Sequence, residues 1–294
     1  MKKIGVFGSV NLDYVFGAEV FPKVGETVKG NSFAIHYGGK GANEAVAAAR
    51  VGASVALFGC VGDCKGSEGY LEYLGNEGVL VDNVKLIENQ TCGVAGIFTA
   101  GSHNSIVVVG GANSDADEKY LEGALPAIKD CSHICSTLEV PPSAVLKLSR
   151  ICKQNEINFI FNPSPMIDFD KEILDNASLI IVNEIEIALF GGEDALAKFP
   201  NKLILTKGGD GVFFHNGEKV VHIPAIKVDA VDTTGAGDTF LGTLIAALFE
   251  DKPLATAIQF ANVAAGLKTT KHGAQTGMPR RNEVDEILKK QESV

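Results

Sequence analysis

The chain has 294 residues, of which 46% are hydrophobic and 33 are glycine, with a formal net charge of −10 at pH 7. That length admits one large domain or two, and the composition describes a compact fold rich in turns, not a disordered chain. The acidic balance excludes nucleic acid or an anionic membrane as a partner, since both need a basic footprint, so any phosphate site must be local.

Met1-Lys2-Lys3 leads into Ile4-Gly5-Val6-Phe7, which reads as a first strand. Asn11 and Asp13 interrupt the apolar run too soon for a signal peptide, and apolar runs such as Leu244–Phe249 fall far short of the ~20 residues of a membrane helix, so a cytoplasmic location is expected. Asn11 and Asp13 themselves are either a plain turn or a polar pair facing a ligand. Residues 14–36 are extended in character, with Thr27-Val28-x-Gly30 and no helix.

Tyr37-Gly38-Gly39-Lys40-Gly41-Ala42-Asn43 opens a predicted helix from Ala42 to Arg50, whose small residues Ala45, Val46, Ala48 and Ala49 suit close packing on a sheet. It is not a Walker A loop, which needs glycine where Ala34 stands and Ser or Thr where Gly41 stands. What remains is a turn whose backbone, Lys40 and Asn43 could grip a polyhydroxylated molecule, or a surface turn with a solvated lysine.

From residue 50 onward apolar strands alternate with helices: Ser54–Phe58, a helix near Ser67–Asn76, His133–Ser136, a helix over Ser143–Cys152, Asn158–Phe161, Leu179–Val182 and Leu203–Thr206. This alternation predicts an α/β fold with a mostly parallel sheet, helices on both faces and ligands at the carboxyl ends of the strands. Residues 93–109 break the rhythm as a second extended stretch, and with 14–36 they predict a small sheet standing off the main one. Leu203–Thr206 runs into Lys207-Gly208-Gly209-Asp210-Gly211, a turn that opens a hairpin into Val212-Phe213-Phe214 and whose backbone could also lie against a nucleotide.

Near the C-terminal end, Gly235 and Gly237 allow a tight turn before an apolar helix through Phe240, Leu244 and Leu248. The unpartnered N–H groups of such a helix start suit a phosphate. Asp238 would lie beside that phosphate, either as a base for a nucleophile or as an acid that merely satisfies the helix dipole. A further helix, Leu254–Thr270, carries Asn262, whose amide needs a partner if it faces inward.

Cys60, Cys64, Cys92, Cys131, Cys135 and Cys152 contain no Cys-x2-Cys and read as buried or unpaired thiols, and the histidines form no His-Glu-x-x-His, so a zinc site is not expected. A nicotinamide dehydrogenase is disfavoured because Gly5-x-x-Gly8-Ser9 lacks Gly-x-Gly-x-x-Gly, and a silent sugar-binding protein is disfavoured by Asp238.

Gly38–Asn43 and Asp232–Asp238 are similar to the two signatures of the PfkB carbohydrate kinases. Further matches keep the family's order over nearly the whole chain: Gly8–Asp13, Pro22-x-x-Gly25-Glu26-Thr27, Gly93–Ala95, Gly111–Asn113, Leu138-Glu139, Asn162–Pro165, Asn183-x-x-Glu186, Thr206-x-Gly208-x-x-Gly211 and Gly273–Gln275. The resemblance implies one kinase domain over residues 1–294, a three-layer α/β/α core and a small β-sheet lid from about 14–36 and 93–109, which also forms a homodimer contact. It implies ATP-dependent phosphorylation of D-ribose at the primary 5-hydroxyl, with deoxyribose, fructose or a nucleoside as alternative acceptors.

By the same resemblance the sugar is held by Asn11, Asp13, Gly39, Lys40, Gly41, Ala42, Asn43 and Glu139. Asp238 acts as base, and the N–H groups of Gly235, Ala236 and Gly237 hold the γ-phosphate. ATP would lie against Asn183, Thr206, Lys207, Gly208, Gly209, Asp210, Gly211 and Asn262, with Glu186 acting on Mg²⁺ through water. A potassium ion would be set among Asp232, Thr234, Lys268, Lys271, Gly273 and Gly277, yet Lys268 stands where a small residue is usual and Gly277 lacks the usual hydroxyl. The expected course of the Lys268 stem is outward to solvent, leaving carbonyls for the ion. An inward ammonium would replace it.

Overall fold

A computed structural model describes residues 2–101 and 103–292. The first strand, β1 (Lys3–Phe7), is buried from Ile4 onward. The chain then leaves the main sheet for an antiparallel pair, β2 (Asn11–Ala18) and β3 (Gly30–Gly38), and returns through helix α1 (Lys40–Arg50). β4 (Val55–Gly62) lies parallel to β1, and after α2 (Ser67–Asn76) the short β5 (Val79–Leu80) and β6 (Val84–Ile87) both pair with β4. A second excursion makes β7 (Gly93–Ala100) and β8 (His103–Val109).

Helix α3 (Glu118–Lys129) opens the regular half of the molecule. There β9 (Cys131–Ser136), α4 (Pro142–Gln154), β10 (Asn158–Phe161), α5 (Glu172–Asn176), β11 (Leu179–Asn183), α6 (Ala195–Lys198) and β12 (Leu203–Thr206) follow in turn. The antiparallel β13 (Val212–His215) and β14 (Val220–Ile223) close the sheet, and α7 (Ala236–Phe249), α8 (Leu254–Lys268) and α9 (Arg281–Glu292) complete the chain. The main sheet runs β14-β13-β12-β11-β10-β9-β1-β4-β5, with β6 also on β4, and the small sheet runs β3-β2-β7-β8.

The main sheet divides the core by strand alternation. Ile4, Val6 and Leu57 face a cluster with Ala45, Val46, Leu244 and Ala261 of α1, α7 and α8. Phe7 and Phe58 face the other, with Leu121, Val145 and Ile173 of α3, α4 and α5. This is the expected α/β/α arrangement.

Two close approaches position the site. Where α1 starts over the end of β1, a Cβ on Gly8 would lie 2.7 Å from the Cα of Gly41, and one on Gly41 would lie 2.6 Å from the carbonyl carbon of Gly8. Backbone meets backbone there, so neither position accepts a side chain. Further along, a Cβ on Gly242 of α7 would lie 2.2 Å from the Glu44 oxygen and 2.9 Å from the Ala47 Cβ, so α1 and α7 touch over a glycine.

Several expectations change. Asn11 and Asp13 lie on β2, not in a turn, while Thr27 and Val28 sit in the loop before β3, where no strand pairs with them. The helix predicted to Thr270 ends at Lys268. Cys64 and Cys92 are not free thiols but a disulfide with Cα atoms 5.8 Å apart, because β4 and β6 run side by side and bring their exits together. The other four cysteines are buried and free.

Candidate active site

The carboxyl ends of the parallel strands meet the start of α1, the start of α7 and the inner face of the small sheet. The space between them is a hollow of about 300 Å³ lined by Asn11, Asp13, Gly39, Lys40, Asn43, Glu139, Thr234, Gly235, Gly237 and Asp238, with Ala95, Ile97, Ile106 and Val108 of the small sheet above. A narrower hollow below it is lined by Asn162, Asn183, Glu186 and Thr206. Lys40, Gly237 and Asp238 line both, so the two spaces join at the Asp238 carboxylate.

Asp238 is in the first turn of α7 and is held from α1. Asn43 donates through Nδ2 to its Oδ2 at 2.7 Å, and Lys40 Nζ lies 3.6 Å from its Oδ1. The Asn43 amide is itself fixed, since its Oδ1 accepts from Gln275 Nε2 at 2.9 Å. Gln275 also donates to the Tyr70 hydroxyl at 2.7 Å, and that hydroxyl donates to the Gly38 oxygen at 2.6 Å. Asp238 and Glu139 raise the Lys40 pKa above its ordinary value against the opposing effect of burial, so the ammonium stays charged.

On the far side, burial, with Glu139 and Asp238 nearby, pushes the Asp13 carboxyl up to about 7. Glu139 Oε2 accepts from Ser9 Oγ at 2.5 Å and from the Lys40 N–H at 3.2 Å. Asn11 Oδ1 accepts from Asn113 Nδ2 at 2.7 Å, and Asn113 Oδ1 accepts from the Val10 N–H at 2.9 Å, which pins the start of β2. On α1 itself the buried Glu44 carboxyl is pushed well above its ordinary range by burial and by Asp238.

In the lower hollow Glu186 is buried, not solvated. Its Oε2 accepts from the Asn183 N–H at 3.0 Å and from Asn162 Nδ2 at 3.1 Å, while Asn183 Oδ1 accepts from the N–H groups of Ile185 and Glu186. Thr206 ends β12, and Gly208, Gly209 and Asp210 form an exposed 3₁₀ turn ahead of Gly211.

Other expected site residues are placed differently. Gly41 and Ala42 are buried floor beneath the hollow, with the Ala42 N–H donating to the Ser9 oxygen at 3.0 Å. Ala236 turns its N–H inward to the Thr233 oxygen at 3.1 Å, closing the tight turn, so Gly235 and Gly237 are the glycines that line the upper hollow. Asn262 spends its amide on the oxygens of Ile223 and Pro224, at 3.3 and 2.8 Å, tying α8 to the end of β14. Lys207 pairs with Glu193 at 2.9 Å, and Lys271 pairs with Glu283 at 2.7 Å, away from the hollow.

Lys268 reverses its expected course. Its side chain has no solvent exposure, and Nζ donates to the main-chain oxygen of Asp232 at 2.8 Å. Burial lowers its pKa, an effect that the carboxylates of Asp232 and Asp238 oppose. Among residues whose part was not foreseen, Tyr70 stands out: a tyrosine on a helix reads as core until its hydroxyl is seen to fix Gln275.

The chain is similar to known proteins over nearly its whole length. Residues 1–281 match the model of the pfkB family carbohydrate kinases. The chain is 42% identical over 292 residues to the ribokinase of Bacillus subtilis, covering 98% of this chain and 100% of the relative. The crystal structure of ribokinase from Thermotoga maritima superposes with a TM-score of 0.91 at 31% identity, covering 98% of this chain and 100% of that one. The structure of Arabidopsis thaliana ribokinase complexed with ribose and ATP superposes with a TM-score of 0.90 at 30% identity, covering 98% and 99%.

Proposed function

The chain belongs to the pfkB family of carbohydrate kinases, and we propose that it transfers the γ-phosphoryl group of ATP to the primary 5-hydroxyl of D-ribose. The observation that carries this reading is the place of Asp238, a carboxylate fixed by Asn43 and Lys40 at the junction of two hollows. A base is needed where an acceptor hydroxyl meets a phosphate, and nowhere else in either space.

The sugar occupies the upper hollow. Asp13 and Glu139 accept from its hydroxyls, and an acceptor lacking one of them would leave a buried carboxylate unpaired. Asp238 takes the proton of the primary hydroxyl. The Gly235 and Gly237 backbone and the Lys40 ammonium face the transferred group, where alignment and neutralisation of charge supply the rate. The nucleotide lies over Asn183, Thr206 and the turn from Lys207 to Gly211.

Magnesium fits as an ion carried by the nucleotide. Among the described residues no group of three His, Cys, Asp or Glu side chains is arranged to hold a metal. Glu186 does set a buried carboxylate at the lower hollow, suited to an ion that keeps several waters. When bound, the ion would neutralise phosphate charge.

The small sheet serves as a lid, since its inner face roofs the sugar hollow with Ile97, Ile106 and Val108. Its outer face carries Phe16, Phe33, Ile35, Phe98, Val107 and Val109, all exposed, and a second copy of the chain is the occupant we propose for it in the ATP-supplied cytoplasm. ATP consumption with D-ribose, deoxyribose, fructose and adenosine as acceptors tests the reaction. D-ribose is expected to give the highest kcat/KM, and a higher value for any other acceptor overturns the assignment.

A further inference from the structure

Lys268 ends α8 fully out of contact with solvent, a rare place for an ammonium unless it is compensated. Its partners come from two loops. The Asp232 oxygen accepts at 2.8 Å and the Lys271 oxygen at 3.4 Å, with the Asp232 carboxylate 3.9 Å away. Asp232 stitches the same loops together, because its Oδ1 accepts from the Thr234 N–H at 2.9 Å and its Oδ2 from the Gly273 N–H at 2.8 Å.

The loop so held is the one that presents Gly235 and Gly237. Contact between the two loops is tight: a Cβ on Gly235 would lie 3.0 Å from the Ala274 Cβ. Gly277 explains how the lysine fits, since a Cβ there would lie 3.2 Å from Lys268 Cε and 2.9 and 3.0 Å from the oxygens of Gly273 and Lys271. The two departures from the family pattern are therefore one structural change, a lysine and the glycine that makes room for it. The residues assigned by resemblance to a potassium ion do not fit one, because two of the carbonyl oxygens are already acceptors for the ammonium.

We propose that the Lys268 ammonium is a built-in monovalent cation, seated in the carbonyl cradle between residues 232–234 and 271–277, which holds the anion-binding turn without potassium. The ammonium is covalently delivered, so its occupancy does not depend on salt. Lys268 acts through the turn and is a positioning residue, and the inference rests on the kinase reading of that turn.

The test compares potassium chloride with tetramethylammonium chloride at equal ionic strength. The unmodified chain is expected to show the same kcat and the same Tm in both salts. Lys268→Ala is expected to lose about tenfold in kcat in tetramethylammonium, less than the roughly 10²–10³ lost when a donor to the developing anion is itself removed, because the ammonium acts through the turn, and to regain most of it in potassium. Its Tm and its affinity for ADP should rise with potassium alone, readouts that do not need turnover and that separate this inference from the choice of acceptor. Gly277→Ser keeps the question open to experiment if Lys268→Ala fails to fold: crowding the lysine, it should lower Tm and confer potassium dependence. Strong potassium activation of the unmodified chain overturns the proposal, as does a Lys268→Ala defect, or an unaltered Gly277→Ser variant, that is the same in every salt.

Discussion

Asp238 makes its contacts through both carboxylate oxygens, and an amide would keep the bond from Asn43 while removing the proposed base. Asp238→Asn should therefore lower kcat by roughly 10²–10⁴ with sugar and nucleotide dissociation constants little changed, as calorimetry and steady-state rates would show. Asp13 is a different case, because its carboxyl is raised to about 7 by burial and by its acidic neighbours. Below that pH it takes a proton and stops accepting from paired hydroxyls, so the sugar KM should climb as the pH falls through 7 while the ATP KM stays level.

The same shift bears on stability. A carboxyl raised in the fold favours folding in its protonated form, an advantage fully present below its unfolded value and lost as the pH rises through about 7. Asp13→Asn should accordingly stabilise the chain by about 2 kcal/mol at pH 8, with no gain in strong acid, while ruining sugar use. Urea unfolding at both pH values checks the sign. Asp13, Lys40, Asn43 and Asp238 were recognisable as chemical groups from their motifs. Tyr70, Asn113 and Gln275 support them through contacts across 102 to 232 positions of chain, which no local pattern reveals.

Helices α1 and α7 bring the two glycine signatures together, and the contact over Gly242 sets how close Lys40 and Asn43 come to Asp238. A methyl group there has no room. Gly242→Ala should cost about 1–3 kcal/mol in unfolding free energy by overpacking, and should lower kcat by moving α1 off Asp238. A variant of unchanged stability and rate would remove Gly242 from this role. Buried strands such as β10 and β12 were legible as short apolar runs bounded by turns. Helices α5 and α6, five and four residues long, are too short to display a helical period.

Among the described residues, one face of the small sheet has no covering layer. On it Phe16 packs tilted against Phe33 and stacks with Phe98, at centroid distances of 5.1 and 5.4 Å, yet all three remain exposed. Burying each such ring against a second copy contributes about 1.5–3 kcal/mol. Sedimentation should find the unmodified chain dimeric and the Phe16→Glu, Phe33→Glu double variant monomeric. A monomeric unmodified chain at micromolar concentration would falsify the dimer reading.

The α/β class, the standing-off small sheet and the close backbone approach at the two glycine turns follow from periodicity and local composition, because burial repeats every second residue in strands and glycine marks close backbone approach. The course of a long side chain does not follow in this way. Whether Lys268 runs to solvent or inward depends on carbonyls at Asp232 and Lys271 and on the missing side chain at Gly277, and the pairing of Cys64 with Cys92 depends on β4 lying beside β6. Asn262 and Ala236 likewise took partners from neighbouring segments. Polar groups are satisfied by whatever donor or acceptor the packed chain brings within about 3 Å, and only the folded arrangement decides which one that is.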